Sequence, residues 1–164
     1  MTIPKYCTRL TGDVLERKLI SCTGQQLCKI LRSLIKINVE LTWYLADIST
    51  ISKPKDWDVF TSNKPLLLGG ADMLIERCSM VEQFTSGVFL GVSKKEAGYS
   101  WSNEYDTEDV AFIDNEIAEI EIRAFDTTYF EVYSSNLEVH EMLSQKYQVN
   151  VDKKIGVLDK NLNP

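Results

Sequence analysis

A single α+β domain is the fold this sequence predicts, and three observations predict it. One stretch carries apolar residues at helical spacing, and later stretches alternate with the two-residue period of strands. Those later strands run consecutively, with one strand–helix–strand crossover among them, which favours a mostly antiparallel sheet covered on one face by helices. The chain has 164 residues, enough to bury a core without cross-links. Apolar residues make up 44% and charged residues 26%, which excludes disorder. No apolar run approaches the ~20 residues of a membrane span, so no membrane partner is expected. The opening Met1-Thr2-Ile3-Pro4-Lys5 leads into no hydrophobic region, which predicts no secretory signal and a cytoplasmic location.

The elements follow in order. Residues 1–22 are mixed, with Val14, Leu15, Leu19 and Ile20 as apolar points. Thr23 can cap a helix over 23–37, in which Leu27, Ile30, Leu31, Leu34 and Ile35 share a face. Strict alternation from Val39 to Ala46 predicts a half-buried strand, with Val39, Leu41, Trp43 and Leu45 inward. Residues 49–65 read as a loop around Trp57, and Gly69-Gly70 breaks the chain before a short helix at 71–79. Residues 84–92 predict a second strand, and its run from Val88 to Val92, apolar on both faces, places it centrally. A loop at 93–105 carries aromatics, some of them expected at the surface.

Residues 117–125 alternate again, with Ala118, Ile120, Ile122 and Ala124 on the apolar side and Glu119, Glu121 and Arg123 on the wet side. The strand at 129–133 completes a hairpin. Residues directly opposite share a face, so Ala124 opposes Phe130 and Asp126-Thr127-Thr128 form the loop. The same register sets Arg123 opposite Glu131, an opposite-charge pair. Ser135 to Glu138 reads as a capping box before a last helix with Val139, Leu143 and Tyr147 buried and His140 flanking them. The domain is expected over 1–147, followed by a polar tail at 148–164.

Charge is unevenly placed. Residues 104–121 hold eight acids, Glu104, Asp106, Glu108, Asp109, Asp114, Glu116, Glu119 and Glu121, and no Lys or Arg. The whole net charge of −6 comes from this stretch, because the remainder has a small positive balance. Such a local field attracts a basic partner or a cation and repels nucleic acid. Solvation alone would also account for a charged loop and strand face.

Catalytic patterns are absent from the sequence. Cys7, Cys22, Cys28 and Cys78 have no short-spaced pairing, and one histidine, His140, is available for a metal or a nucleophile. The thiols are expected free, with Cys28 a small core filler. Gly69-Gly70 lacks the residues of a phosphate loop. A metal-nuclease outline can be drawn through Asp114, Glu119 and Glu121, with Glu119 and Glu121 on one strand face about 6.6–7 Å apart. Arg123 stands there where such sites place Lys, and a guanidinium does not deprotonate. The acids between residues 106 and 116 lack the spacing and the glycine of a calcium loop. No cofactor is implied.

What remains is a binding surface. The acidic stretch adjoins Tyr99, Trp101 and Tyr105, and carboxylates beside aromatic rings suit recognition of a basic protein. In size, charge layout, α+β order and lack of catalytic residues, the chain resembles the immunity proteins of bacterial contact-dependent and polymorphic toxin systems. That resemblance rests on overall character, and no family residue is carried over. It implies a small non-enzymatic inhibitor that occludes a toxin domain. The physical expectation is parallel: an acidic strip can occupy the basic, phosphate-binding cleft of a nuclease in place of nucleic acid. A metal-dependent hydrolase and a structural or oligomeric domain with a solvated acidic face are the alternatives.

Overall fold

The computed structural model describes residues 4–37, 40–96, 98–108 and 118–153. Among these residues seven strands form one sheet: β1 Tyr6–Leu10, β2 Leu41–Ile51, β3 Leu66–Gly70, β4 Gln83–Ser93, β5 Ala118–Phe125, β6 Tyr129–Ser134 and β7 Asp152–Lys153. Four α-helices accompany them: α1 Gly12–Glu16, α2 Gly24–Ile35, α3 Ala71–Cys78 and α4 Leu137–Tyr147. The strand order is β3-β2-β4-β5-β6-β1-β7, and each neighbouring pair is antiparallel. The fold is therefore the α+β domain expected from the sequence. Among the described residues no helix is long and apolar enough to cross a membrane.

α2 starts where the sequence places its cap. Thr23 Oγ1 accepts the Gln26 amide and Gln26 Oε1 accepts the Thr23 amide, each at 3.2 Å, so two otherwise unpaired donors are satisfied reciprocally. Its stripe of Leu27, Ile30, Leu31 and Leu34 is buried against the sheet, while Ile35 ends it at the surface. At Gly24 a Cβ would lie 1.9 Å from the Cys78 carbonyl oxygen, so the close approach of α2 to the end of α3 requires glycine. Leu74 of α3 and Val139 and Leu143 of α4 join the same core, which sits on one face of the sheet against Trp43, Leu45, Phe89, Ile122 and Phe130. The helices thus cover one face, as expected.

Several expectations about elements need correction. β1 was hidden because Thr8 and Arg9 interrupt its apolar pattern, yet it lies between β6 and β7. The expected loop at 49–65 contains the end of β2 and a 3-10 turn, Lys55–Thr61, whose Trp57 and Phe60 are core residues. Gly69-Gly70, expected to break the chain, close strand β3 directly before α3. The cap of α4 is Asn136, whose side chain accepts the Glu138 amide at 3.0 Å, and not a box begun by Ser135. Residues 152–153, placed in the tail, pair with β1. Of the β2 pattern, Val39 lies outside the described residues.

The largest correction concerns the other face of the sheet. β2 is buried on both faces, because Tyr44 and Ala46 pack with Val88, Leu90 and Val92 of β4 in a second apolar cluster. β5 has no wet side along its length either: Glu121 and Arg123 are buried. The hairpin register itself is as expected, with Ala124 opposite Phe130, Arg123 opposite Glu131 and a loop of three residues. At the start of β5 the pairing with β4 slips by one residue at Glu119. This bulge carries Ala118 to the second cluster, away from Ile120 and Ile122.

Candidate partner-binding surface

The second face of the sheet is roofed by a loop, residues 98–108, built around rings. Trp101 stacks edge-on against Tyr44, Tyr99 and Tyr105, with centroids 5.4, 5.3 and 5.5 Å away. Trp101 is only 6% exposed and Tyr105 is also buried, whereas Tyr99 is 38% exposed. Two of the three aromatics singled out by the sequence are therefore core, and one is surface. The apolar strand face beneath them explains this: Val88, Leu90 and Val92 must be covered, and Trp101 and Tyr105 are the large side chains the loop offers.

Polar contacts fix the loop at four points, three on the sheet and one on the segment before β3. The Gly98 amide donates to the Tyr44 hydroxyl at 2.9 Å, and the Tyr105 amide donates to the Asn63 carbonyl at 2.7 Å. The Thr107 amide donates to Asp47 Oδ2 at 2.9 Å, and Thr107 Oγ1 accepts the Gly87 amide at 2.9 Å. Asp47 sits at a bulge of β2 with φ of 52°, a left-handed conformation that Asp tolerates better than most residues. The bulge turns Ala46 to the second cluster and Ile48 to the first. A sequence signal for it exists: inward apolar positions step from odd numbers, Trp43 and Leu45, to the even Ile48.

On this roof Glu104, Asp106 and Glu108 are exposed, and Asp106 Oδ1 accepts the Glu108 amide at 2.9 Å, closing a short turn. Glu119 is exposed at the β5 bulge. Asp109, Asp114 and Glu116 lie outside the described residues. The structure thus brings Glu104, Asp106 and Glu108 onto one anchored segment with Tyr99, Trp101 and Tyr105.

Glu121 stands apart. It is buried on the strand, and its Oε1 accepts Arg123 Nε at 2.7 Å. Burial pushes the Glu121 carboxyl above its ordinary value, and the charge and hydrogen bond of Arg123 pull it back only in part. Arg123 pairs along its own strand, while Glu131, its cross-strand neighbour, accepts Arg9 Nε and Nη2 at 3.1 and 2.8 Å. Glu131 also accepts the Tyr133 hydroxyl, and burial raises that phenol strongly. Arg9 lies 3.9 Å over the Tyr129 ring. Sequence reasoning missed Arg9 because the unrecognised β1 supplies it.

These placements bear on the nuclease outline. Glu119 is exposed on a bulge, and Glu121 is buried and bound to a guanidinium, so the two do not present a shared pair of carboxylates. Among the described residues no group of three His, Cys, Asp or Glu could hold a metal. The four cysteines form no disulfide and are all buried, with the Cys22 thiol pushed up to about 12 by burial. Comparison with protein-family models, curated proteins and solved structures found no match in any of the three.

Proposed function

We propose that this chain is a non-enzymatic cytoplasmic binding protein whose acidic loop meets a basic protein, in the manner of an immunity protein neutralising a nuclease-like toxin domain. One observation carries the reading. Glu104, Asp106 and Glu108 are exposed on a loop that four hydrogen bonds and a buried ring cluster hold in place. A surface that is already ordered loses little conformational freedom on binding, so its charges and Tyr99 can act at small entropic cost. The carboxylates would steer a basic partner and compete with phosphates for its cleft. Tyr99 is the ring with surface to contribute as an anchor, since Trp101 and Tyr105 serve the core.

The test is co-expression with the toxin domain encoded by a neighbouring reading frame. The wild-type chain should restore growth and co-purify with the toxin. A variant with Glu104, Asp106 and Glu108 changed to Lys should do neither while remaining folded. Rescue that the charge reversals leave intact would overturn the role of the loop. Metal-dependent cleavage of RNA or DNA by the purified chain would overturn the non-enzymatic reading.

A further inference from the structure

The sheet ends on an open strand. Among the described residues β3 pairs with β2 alone, so one side of its backbone faces away from the sheet. Its five residues, Leu66-Leu67-Leu68-Gly69-Gly70, carry no charge and no proline, the usual devices that keep an edge from pairing. A bulge at Leu68 is its one guard. Leu66 is 39% and Leu67 55% exposed, and Met73, whose Sδ lies 3.0 Å from where a Cβ of Gly69 would stand, is 45% exposed. An apolar edge of this kind is a template for another strand.

We propose that β3 pairs antiparallel with β3 of a second copy of this chain, about a two-fold axis at Leu68. A two-fold interface must be self-complementary, and an antiparallel strand pair is. Charge selects the register. Centred on Leu68, it sets Leu66 against Gly70, where a Cβ would meet nothing within 4 Å, and Leu67 against Gly69, whose Cβ side is filled by the exposed Met73 side chain. It also brings Lys64, two residues before the strand, towards Asp72 in the first turn of the other copy's α3, twice by symmetry. Both are exposed, and neither has an ion-pair partner among the described residues. Glu40, which lines the same cleft as Asp72, is already held by Lys94 at 2.8 Å. Asp72 is thus the carboxylate there left for an incoming cation. The inference does not depend on the acidic loop, which lies over the second face of the sheet rather than along this edge.

Sedimentation velocity over a concentration series tests it. The wild-type chain should form a reversible dimer of twice 18.7 kDa. Leu67→Lys, a charge on the exposed edge, should leave a monomer with unchanged circular dichroism. Lys64→Asp should weaken the dimer about tenfold by turning two attractive pairs repulsive, and adding Asp72→Lys to it should restore the affinity. A wild-type chain that stays monomeric up to roughly 0.5 mM overturns the proposal. So does a dimer indifferent to Leu67→Lys, or a charge exchange that fails to restore what the single change lost.

Discussion

His140 shows how burial rewrites a residue's chemistry. It is the single histidine in the chain, it is fully buried, and its Nδ1 lies 2.7 Å from Thr8 Oγ1. Burial lowers its pKa from 6.5 to about 4, with the Ser134 backbone opposing only part of the shift. The unfolded chain therefore takes up a proton here at a pH where the folded chain does not. The stabilisation is fully present above pH 6.5 and is lost as pH falls towards 4, amounting to about 3 kcal/mol. Urea unfolding at pH 7 and pH 4 should show that loss in the wild type and a flatter dependence in His140→Gln. The lone imidazole resonance should titrate near pH 4 in the native state. Trp101 carries a second residue-scale expectation. Because it joins Tyr44 and Tyr105 in a buried cluster, Trp101→Ala should lower stability by about 3–5 kcal/mol, measured without any partner present. An effect seen solely in complex dissociation would return it to the surface. Its sequence context, among acids and turn residues, suggested an exposed anchor, and sequence could not show the bare strand face that claims it.

Elements were legible where one residue's environment repeats along the chain. α2 announces itself through Thr23 and a leucine stripe, and the β5–β6 hairpin through parity. β1 and β3 were not legible, since five-residue strands at or near a sheet edge carry too little periodic signal. A bulge shows in the sequence only as a step in the inward positions, such as Leu45 to Ile48, and the loop it can serve lies far along the chain. Asp47 is the clearest case, holding the Thr107 amide across the second face. Asp47→Ala should unpair that amide and strain the left-handed backbone, lowering stability by about 1–3 kcal/mol. Hydrogen exchange at Thr107 should accelerate with it, and Asp47→Asn, which keeps an acceptor, should retain most of the protection. Unchanged exchange in Asp47→Ala would mean that the ring cluster alone anchors the loop.

At the scale of the molecule, the acidic loop lies over one face of the sheet and the helices over the other, so charge and core are separable. Reversing Glu104, Asp106 and Glu108 to Lys should change stability by no more than about 0.5 kcal/mol per site, because all three are exposed. The same change should slow association with a basic partner by an order of magnitude or more, and the wild-type rate should fall as salt rises. Stopped-flow mixing at two ionic strengths measures both. A rate insensitive to charge and salt would reduce the loop to a solvated surface.

The sequence by itself determined the α+β class, the helix that Thr23 caps, the central strand, the hairpin register and the location of the negative charge. Each is a local or short-period property, in which the side chains that matter lie within a turn or a strand pair of one another. Tertiary structure alone decided which faces are buried. A period of two says that Glu121 and Arg123 share a side with Glu131, but not that the side is covered, nor that Arg123 binds Glu121 while β1 supplies Arg9 to Glu131. It likewise decided that Trp101 and Tyr105 belong to a second core and that Tyr99 remains at the surface. Burial on a sheet depends on what the rest of the chain lays across it, and that partner is set by contacts tens of residues away.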